Sequence, residues 1–372
     1  MKQRIISFLT AALIFGSVPA WAEEISVPQN TVMTADEAVD YALSHSLSLA
    51  AAKAGVSSAQ YSRNTAYKTY RNFTKSKYEL DASTFEAGLS YTGYYVDAAD
   101  TQLAIAERNL KIQENSLKTD VRNAFYSYLN TKNKTELAKT ALESAREKES
   151  FAKARQDSGV ISELDYQSFQ LSVLNSQNAL NQAIRNEEDS LRSLKDLLNF
   201  PEDQTLSASG SFTAEAPAYL APEEAVPLSR TQNTYKNLSD AQTLAKNRWD
   251  RAQGYYFPNQ SEYSVEKANF EQSDAEFQSN VRSLATGIHS AYNGLLTLKE
   301  NIEYLERSVE LLSTNTQAMY LRYEMGMVTA NDYLDAEQKL FETKNSLLDL
   351  KLTYYTSIQK YNALYQDSEV VR

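Results

Sequence analysis

An apolar seam runs from Phe270 to Tyr323 in alternating steps of three and four residues, through Phe277, Val281, Leu284, Ile288, Leu295, Ile302, Val309 and Met319. It is broken only at Asp274 and Thr316. A seam of that period and length demands a long helix packed lengthwise on another. Past a lone Gly326 a second seam begins, through Tyr333, Ala336, Leu340, Leu347, Leu350, Tyr354, Tyr361 and Leu364. Gly326 stands where a helix end needs a residue that tolerates positive φ, and Thr329 follows as an N-cap for a return helix. The stretch therefore predicts an αα-hairpin. With only ten glycines and seven prolines in 372 residues, the rest of the chain favours long helices too.

The hairpin occurs twice. A shift of 167 residues pairs "RYEMGMVTANDYLDAE" at 322–337 with "RQDSGVISELDYQSF" at 155–169, matching Arg322 to Arg155, Gly326 to Gly159 and Asp332-Tyr333 to Asp165-Tyr166. The same shift pairs Val121 with Ile288, Phe125 with Tyr292, Glu136 with Glu303 and Glu143 with Glu310. This is the signature of an internal duplication. Each copy is expected to run about 50 residues up and about 37 back, roughly 75 Å and 55 Å at 1.5 Å per residue. Ser162 serves the first turn as Thr329 serves the second.

Before each hairpin lies a further helical section. A capping box, Thr34 to Glu37, opens a helix over 34–60, and Glu37-Ala38-Val39 is echoed by Glu224-Ala225-Val226. Four prolines and many small polar residues make 200–227 a linker. The expected organisation is a signal peptide at 1–22, a first repeat at 23–199, the linker at 200–227, a second repeat at 228–366 and a tail at 367–372.

Lys2 and Arg4, an apolar run from Ile5 to Val18 and the Ala20-Trp21-Ala22 pattern identify a secretory signal peptide, the run being too short for a membrane anchor. Its removal takes the net charge from −11 to about −13, which argues against nucleic acid or anionic lipid as a partner. There is no cysteine, hence no disulfide, thiol nucleophile or acylated N-terminus. No later segment has the apolar length of a membrane helix, so any spanning would use strands. "TFEAGLSYTGYYV" at 84–96 alternates Phe85, Ala87, Leu89, Tyr91 and Tyr95, as one strand would, but "TYRNFTKSKYEL" before it offers no partner. The echo of Gly93-Tyr94-Tyr95 in Gly254-Tyr255-Tyr256 favours turns between helices instead, their tyrosines packing a helix end or anchoring at an interface. No nucleophile elbow, phosphate loop, zinc spacing or pocketed carboxylate pair is present, and His45 and His289 stand alone. No enzyme, cofactor or resident metal is expected.

An export signal, two long hairpins and tips reading "SGVISELDYQSFQ" and "YEMGMVTANDYLDAEQKLFETKNSLLDL" resemble the TolC-like outer-membrane efflux protein family from Thr34 to Tyr365. The resemblance implies two tandem coiled-coil hairpins forming an elongated helical barrel capped by a membrane β-barrel; the missing strand partners depart from the family, so the expected fold is all-α with little or no β-barrel. It implies a homotrimer in the outer membrane and periplasm, twelve helices around, that serves a periplasmic adaptor and an inner-membrane efflux pump or ABC transporter, as in type I secretion. The hairpin turns at Gly159 and Gly326, with Arg155 and Arg322, would form the entrance that docks on the adaptor. Asp165, Tyr323, Asp332 and Asp335 match the family's gate residues. Three copies of each aspartate would make an electronegative constriction that favours cations and binds metal ions.

Val328 and Leu164 stand where the family has a closing arginine and threonine, which leaves apolar packing as the expected seal. The plain reading of the aspartates is helix N-terminal residues favoured by the macrodipole, and of Tyr323 a core residue of the seam. Two other functions compete: a barrel-less cell-envelope conduit or scaffold of an export complex, and an adaptor. Adaptors usually have one hairpin flanked by β-rich domains.

Overall fold

The computed structural model describes residues 30–75, 84–210 and 217–366. The expected signal peptide and C-terminal tail lie outside them, as do residues 76–83 and 211–216. The described residues are all-α apart from one short ladder. The first repeat contains β1 (Asn30–Met33), α1 (Ala35–His45), α2 (Leu47–Lys75), α3 (Phe85–Tyr91), α4 (Tyr94–Asp157) and α5 (Glu163–Leu198). After β2 (Thr205–Ala208) the second contains α6 (Pro222–Ser229), α7 (Asn233–Tyr255), α8 (Ser261–Glu324) and α9 (Ala330–Asn362).

Helices α4 and α8 are the long members, each 64 residues, or about 96 Å at 1.5 Å per residue. They exceed the expected 50 because no proline or capping signal separates the hairpin arm from the section preceding it. The return helices α5 and α9 have 36 and 33 residues and pack on the tip-ward half of α4 and α8. Helices α2 and α7 pack on the other half. Each long helix is thus a shared spine.

The section expected as one helix over 34–60 is two. Ser46 is extended (φ −71°, ψ 120°) and its hydroxyl accepts from the Leu49 N–H at 3.3 Å, ending α1 and starting α2, which then runs on to Lys75. Around the waist Val121, Phe125 and Leu129 of α4 bury against α1, the end of α5 at Leu194 and Leu198, and the β ladder. That ladder is parallel, Asn30 opposite Thr205 through Met33 opposite Ala208, so a piece of the expected linker is folded against the chain start. The second repeat closes its waist with Ile288, Leu295, Ile358, Tyr361 and Tyr365 around Ala225.

The strand considered for 84–96 is a helix. The Thr84 hydroxyl caps α3 by accepting from the Ala87 N–H at 3.2 Å, and Phe85 and Leu89, four residues apart on one helix face, bury against Trp249 and Ala252 of α7. Gly93 (φ 79°) turns the chain into α4, and its echo lies where α7 ends at Tyr255, with Tyr256 as its C-cap. Among the described residues no helix is long and apolar enough to cross a membrane.

Candidate entrance at the paired hairpin tips

At the far end both hairpins turn in the same way. Gly159 (φ 70°) and Gly326 (φ 69°) follow the helix ends, and the next residue closes a six-residue loop: Val160 N–H donates to Arg155 C=O and Met327 N–H to Arg322 C=O, both at 2.8 Å. These are Schellman ends, in which a glycine at positive φ satisfies the last carbonyls. The return helices begin with capping boxes. The Ser162 hydroxyl accepts from the Asp165 N–H at 3.1 Å and donates to the Asp165 carboxylate at 2.8 Å; Thr329 and Asp332 do the same at 3.2 and 2.8 Å.

The two tips pack together. Ala152 and Phe169 of the first hairpin meet Tyr323, Ala330 and Tyr333 of the second, with Val328 partly buried beside them. Tyr323 lies 5.6 Å from the Phe169 ring and stacks on Tyr333 at 6.1 Å. Arg155 covers the Tyr323 ring at 5.2 Å and binds Glu324 at 2.5 Å, tying α4 to the end of α8. Lys148 pairs with Glu337 of α9, which also accepts from the Tyr333 hydroxyl at 2.8 Å. Burial, aided by Glu337, pushes the Tyr333 phenol far above its usual value. A cavity of about 380 Å³ opens beside this cluster, lined by Phe151, Arg155, Phe169, Tyr320 and Tyr323 among others.

The candidate gate residues are therefore divided. Arg155 and Tyr323 meet, and Asp165 is near enough to favour the protonated phenol of Tyr323, whose ionisation is opposed first by burial. Asp165 and Asp332 are both committed to caps. The Thr329 hydroxyl and then its N–H hold the Asp332 carboxyl below its ordinary value. Asp335 is exposed on α9 beside the groove between the hairpins, and Arg322 points into solvent. Leu164 is exposed as well, so of the two apolar departures only Val328 joins the packed cluster. The ion pairs Arg155–Glu324 and Lys148–Glu337 escaped the sequence reading, because only the packing of α4 on the second repeat reveals them. Among the described residues no group of three or more His, Asp or Glu could hold a metal ion.

The cap geometry sets one expectation. Thr329→Ala should cost about 1 kcal/mol, the usual worth of an N-cap, in urea unfolding at pH 7. Because the Asp332 carboxyl is depressed in the fold, the cap's ionic part is complete above the unfolded value, near 4, and fades as pH falls through the folded one. The gap between Thr329→Ala and the parent should therefore narrow in acid. A gap that stays constant from pH 7 to pH 2.5 would contradict the capping assignment.

The family model described as outer membrane efflux protein matches residues 256–366, which comprise α8, the second tip and α9. The second hairpin is thus similar to the outer membrane efflux protein family. Solved structures of similar fold include CusC (14% identity, TM-score 0.74, covering 89% of this chain and 91% of that one) and VceC of Vibrio cholerae (14%, 0.70, 89% and 95%). MtrE of Neisseria gonorrhoeae, solved in its open state, aligns at 16% identity and a TM-score of 0.64 over 90% of this chain and 89% of that one. No curated protein sequence matches the chain. These likenesses show that the chain shares the fold of those three proteins.

Proposed function

We propose that three copies of this TolC-like protein, each built of repeats at 23–199 and 228–366, form a duct for exported small molecules or proteins. A periplasmic adaptor and an inner-membrane pump feed it. The paired tips are its entrance: Gly159 and Gly326 make the turns, Arg155 and Arg322 flank them for adaptor docking, and Asp165, Tyr323, Asp332 and Asp335 form the gate. The observation that carries this reading is the convergence of both hairpin turns at one end of rods about 96 Å long, whose flanks keep large apolar side chains exposed. Rods of that length bury those flanks only against other rods.

The helix over 85–91 favours a second reading, a conduit that reaches the outer membrane through another protein rather than through its own strands. Native mass and planar-bilayer conductance of one purified sample separate the two. A trimer with discrete cation-selective steps supports the duct, and a trimer that never conducts supports the conduit. A monomeric mass overturns both.

In a conducting trimer, replacing Asp332 and Asp335 together by alanine should lower cation selectivity and relieve block by divalent ions, since six carboxylates leave the constriction. Unchanged reversal potentials in a salt gradient would remove these aspartates from the gate.

A further inference from the structure

The duplication makes the chain its own template. The first repeat meets the second along a seam where α4 supplies cations at heptad positions: Lys134 to Asp349 at 2.5 Å, Lys148 to Glu337, and Arg155 to Glu324 at 2.5 Å. Leu137 and Ser144 of α4 and Gln338 and Phe341 of α9 line the groove between these helices. Shifting each residue by 167 into the other repeat gives the counterpart seam, with α8 in the place of α4 and α5 in the place of α9. Leu137 and Ser144 become Tyr304 and Leu311, which are 68% and 71% exposed. Gln338 and Phe341 become Leu171 and Leu174, 57% and 62% exposed. The chain thus shows apolar side chains to solvent at the positions whose repeat mates face another hairpin. Within one chain α8 packs chiefly on α6, α7 and α9, and α5 on α1, α4 and α9; α5 and α8 touch at the tip, where Phe169 meets Tyr323, and the four apolar positions below it stay exposed.

We propose that this seam forms between copies, α8 of one against α5 of the next, and that its only ion pair joins Arg322 of one copy to Asp157 of its neighbour. The inference rests on the trimeric reading above and specifies its contacts. The contact is heterologous, the type that closes into a ring. Its polar residues follow from the same shift. Lys134 with Asp349 becomes Asn301 with Gln182, and Lys148 with Glu337 becomes Asn315 with Gln170. Arg155 with Glu324 becomes Arg322 with Asp157. Arg322 is exposed and has no side-chain partner among the described residues, while Asp157 pairs only with Lys153 on its own helix, at 2.9 Å.

The two seams therefore differ in chemistry. The one inside a chain is ionic at three levels, and the one between copies is neutral except at the tip. Around a threefold entrance, Arg155–Glu324 pairs within chains alternate with Arg322–Asp157 pairs between them. The Arg322–Asp157 pair is therefore the charged contact that holds the seam between copies at the tip.

The chain has no cysteine, so introduced thiols report without background. Asp157→Cys and Arg322→Cys are made in separate, differently sized full-length chains, co-expressed, measured by native mass and then treated with a mild oxidant. The expected result is a trimer in which 157–322 heterodimers form and 157–157 or 322–322 products do not. A trimer lacking the 157–322 product, or one dominated by 322–322 product, overturns the seam and leaves the trimer standing. A monomeric mass overturns both. Arg322→Asp should reduce the trimer fraction severalfold, and adding Asp157→Arg should restore it. A swap that restores nothing overturns the ion pair.

Discussion

Tyr323→Phe is expected to stabilise the paired tips by about 1 kcal/mol, whereas Tyr323→Ala is expected to cost about 3 to 5 kcal/mol. The side chain is 8% exposed, wedged between Phe169 and Tyr333 under Arg155, so truncation to alanine leaves a cavity where both hairpins meet. The hydroxyl contributes nothing favourable there. It is buried without a hydrogen-bond partner, and the nearby Asp165 carboxylate is held by the Ser162 cap. A buried hydroxyl without a partner carries a desolvation cost of roughly 1 to 3 kcal/mol, which phenylalanine removes without changing the packing. Urea unfolding of the purified variants checks both signs. A loss of stability in Tyr323→Phe would mean that the phenol is bonded after all. The same asymmetry bears on opening. If parting the tips wets the phenol, Tyr323→Phe favours the closed entrance by the same amount, and about 1 kcal/mol is a roughly fivefold shift in the open-to-closed ratio.

The hairpins and their turns were legible because their signals are local and repeated. A heptad seam, a lone glycine and a Ser or Thr N-cap just beyond it each specify one element, and the 167-residue shift states them twice. What escaped is settled by partners far away in sequence. Residues 84–96 satisfy a period of two as well as a helical face, and the burial of Phe85 and Leu89 against Trp249 and Ala252, some 160 residues on, decides for the helix. The β1–β2 ladder joins segments about as far apart, four residues each, too short to carry a pattern. At the tips, the resemblance picked out Tyr323 and the aspartates, but not that Asp165 and Asp332 are cap residues first. A carboxylate that closes a capping box can still face a lumen. Here the capping oxygen of Asp165 accepts from Ser162, and the Tyr323 hydroxyl has no partner.

At the end opposite the tips, Arg248→Met is expected to destabilise the structure by about 2 to 3 kcal/mol. Arg248 of α7 forks onto Glu266 of α8 at 2.9 and 2.8 Å, reaches Glu86 of α3 at 2.9 Å and lies over the Phe85 ring at 5.3 Å. It is thus a polar tie that keeps α3 against the bundle, alongside the Arg251 bond to Thr92 at 3.1 Å and the apolar contact of Phe85 and Leu89. The Glu266 side chain is only 11% exposed, so methionine would leave its carboxylate without a counter-charge, the costliest part of the change. Burial works to raise the Glu86 carboxyl, but the Tyr95 hydroxyl and Arg248 outweigh it and hold it below its ordinary value. That contribution is present above the unfolded value, near 4.5, and is lost as pH falls through the folded one, so the defect should shrink in acid. Arg248→Lys keeps the charge and loses the fork, which places it between parent and methionine. In a Glu266→Gln background no stranded carboxylate remains, and Arg248→Met should cost less than it does alone. Amide hydrogen exchange locates the effect: α3 should lose protection first, while the tips keep theirs, because α4 and α8 carry the two ends about 96 Å apart. Equal loss of protection at both ends would show that the bundle unfolds as one unit and that Arg248 is not a local tie.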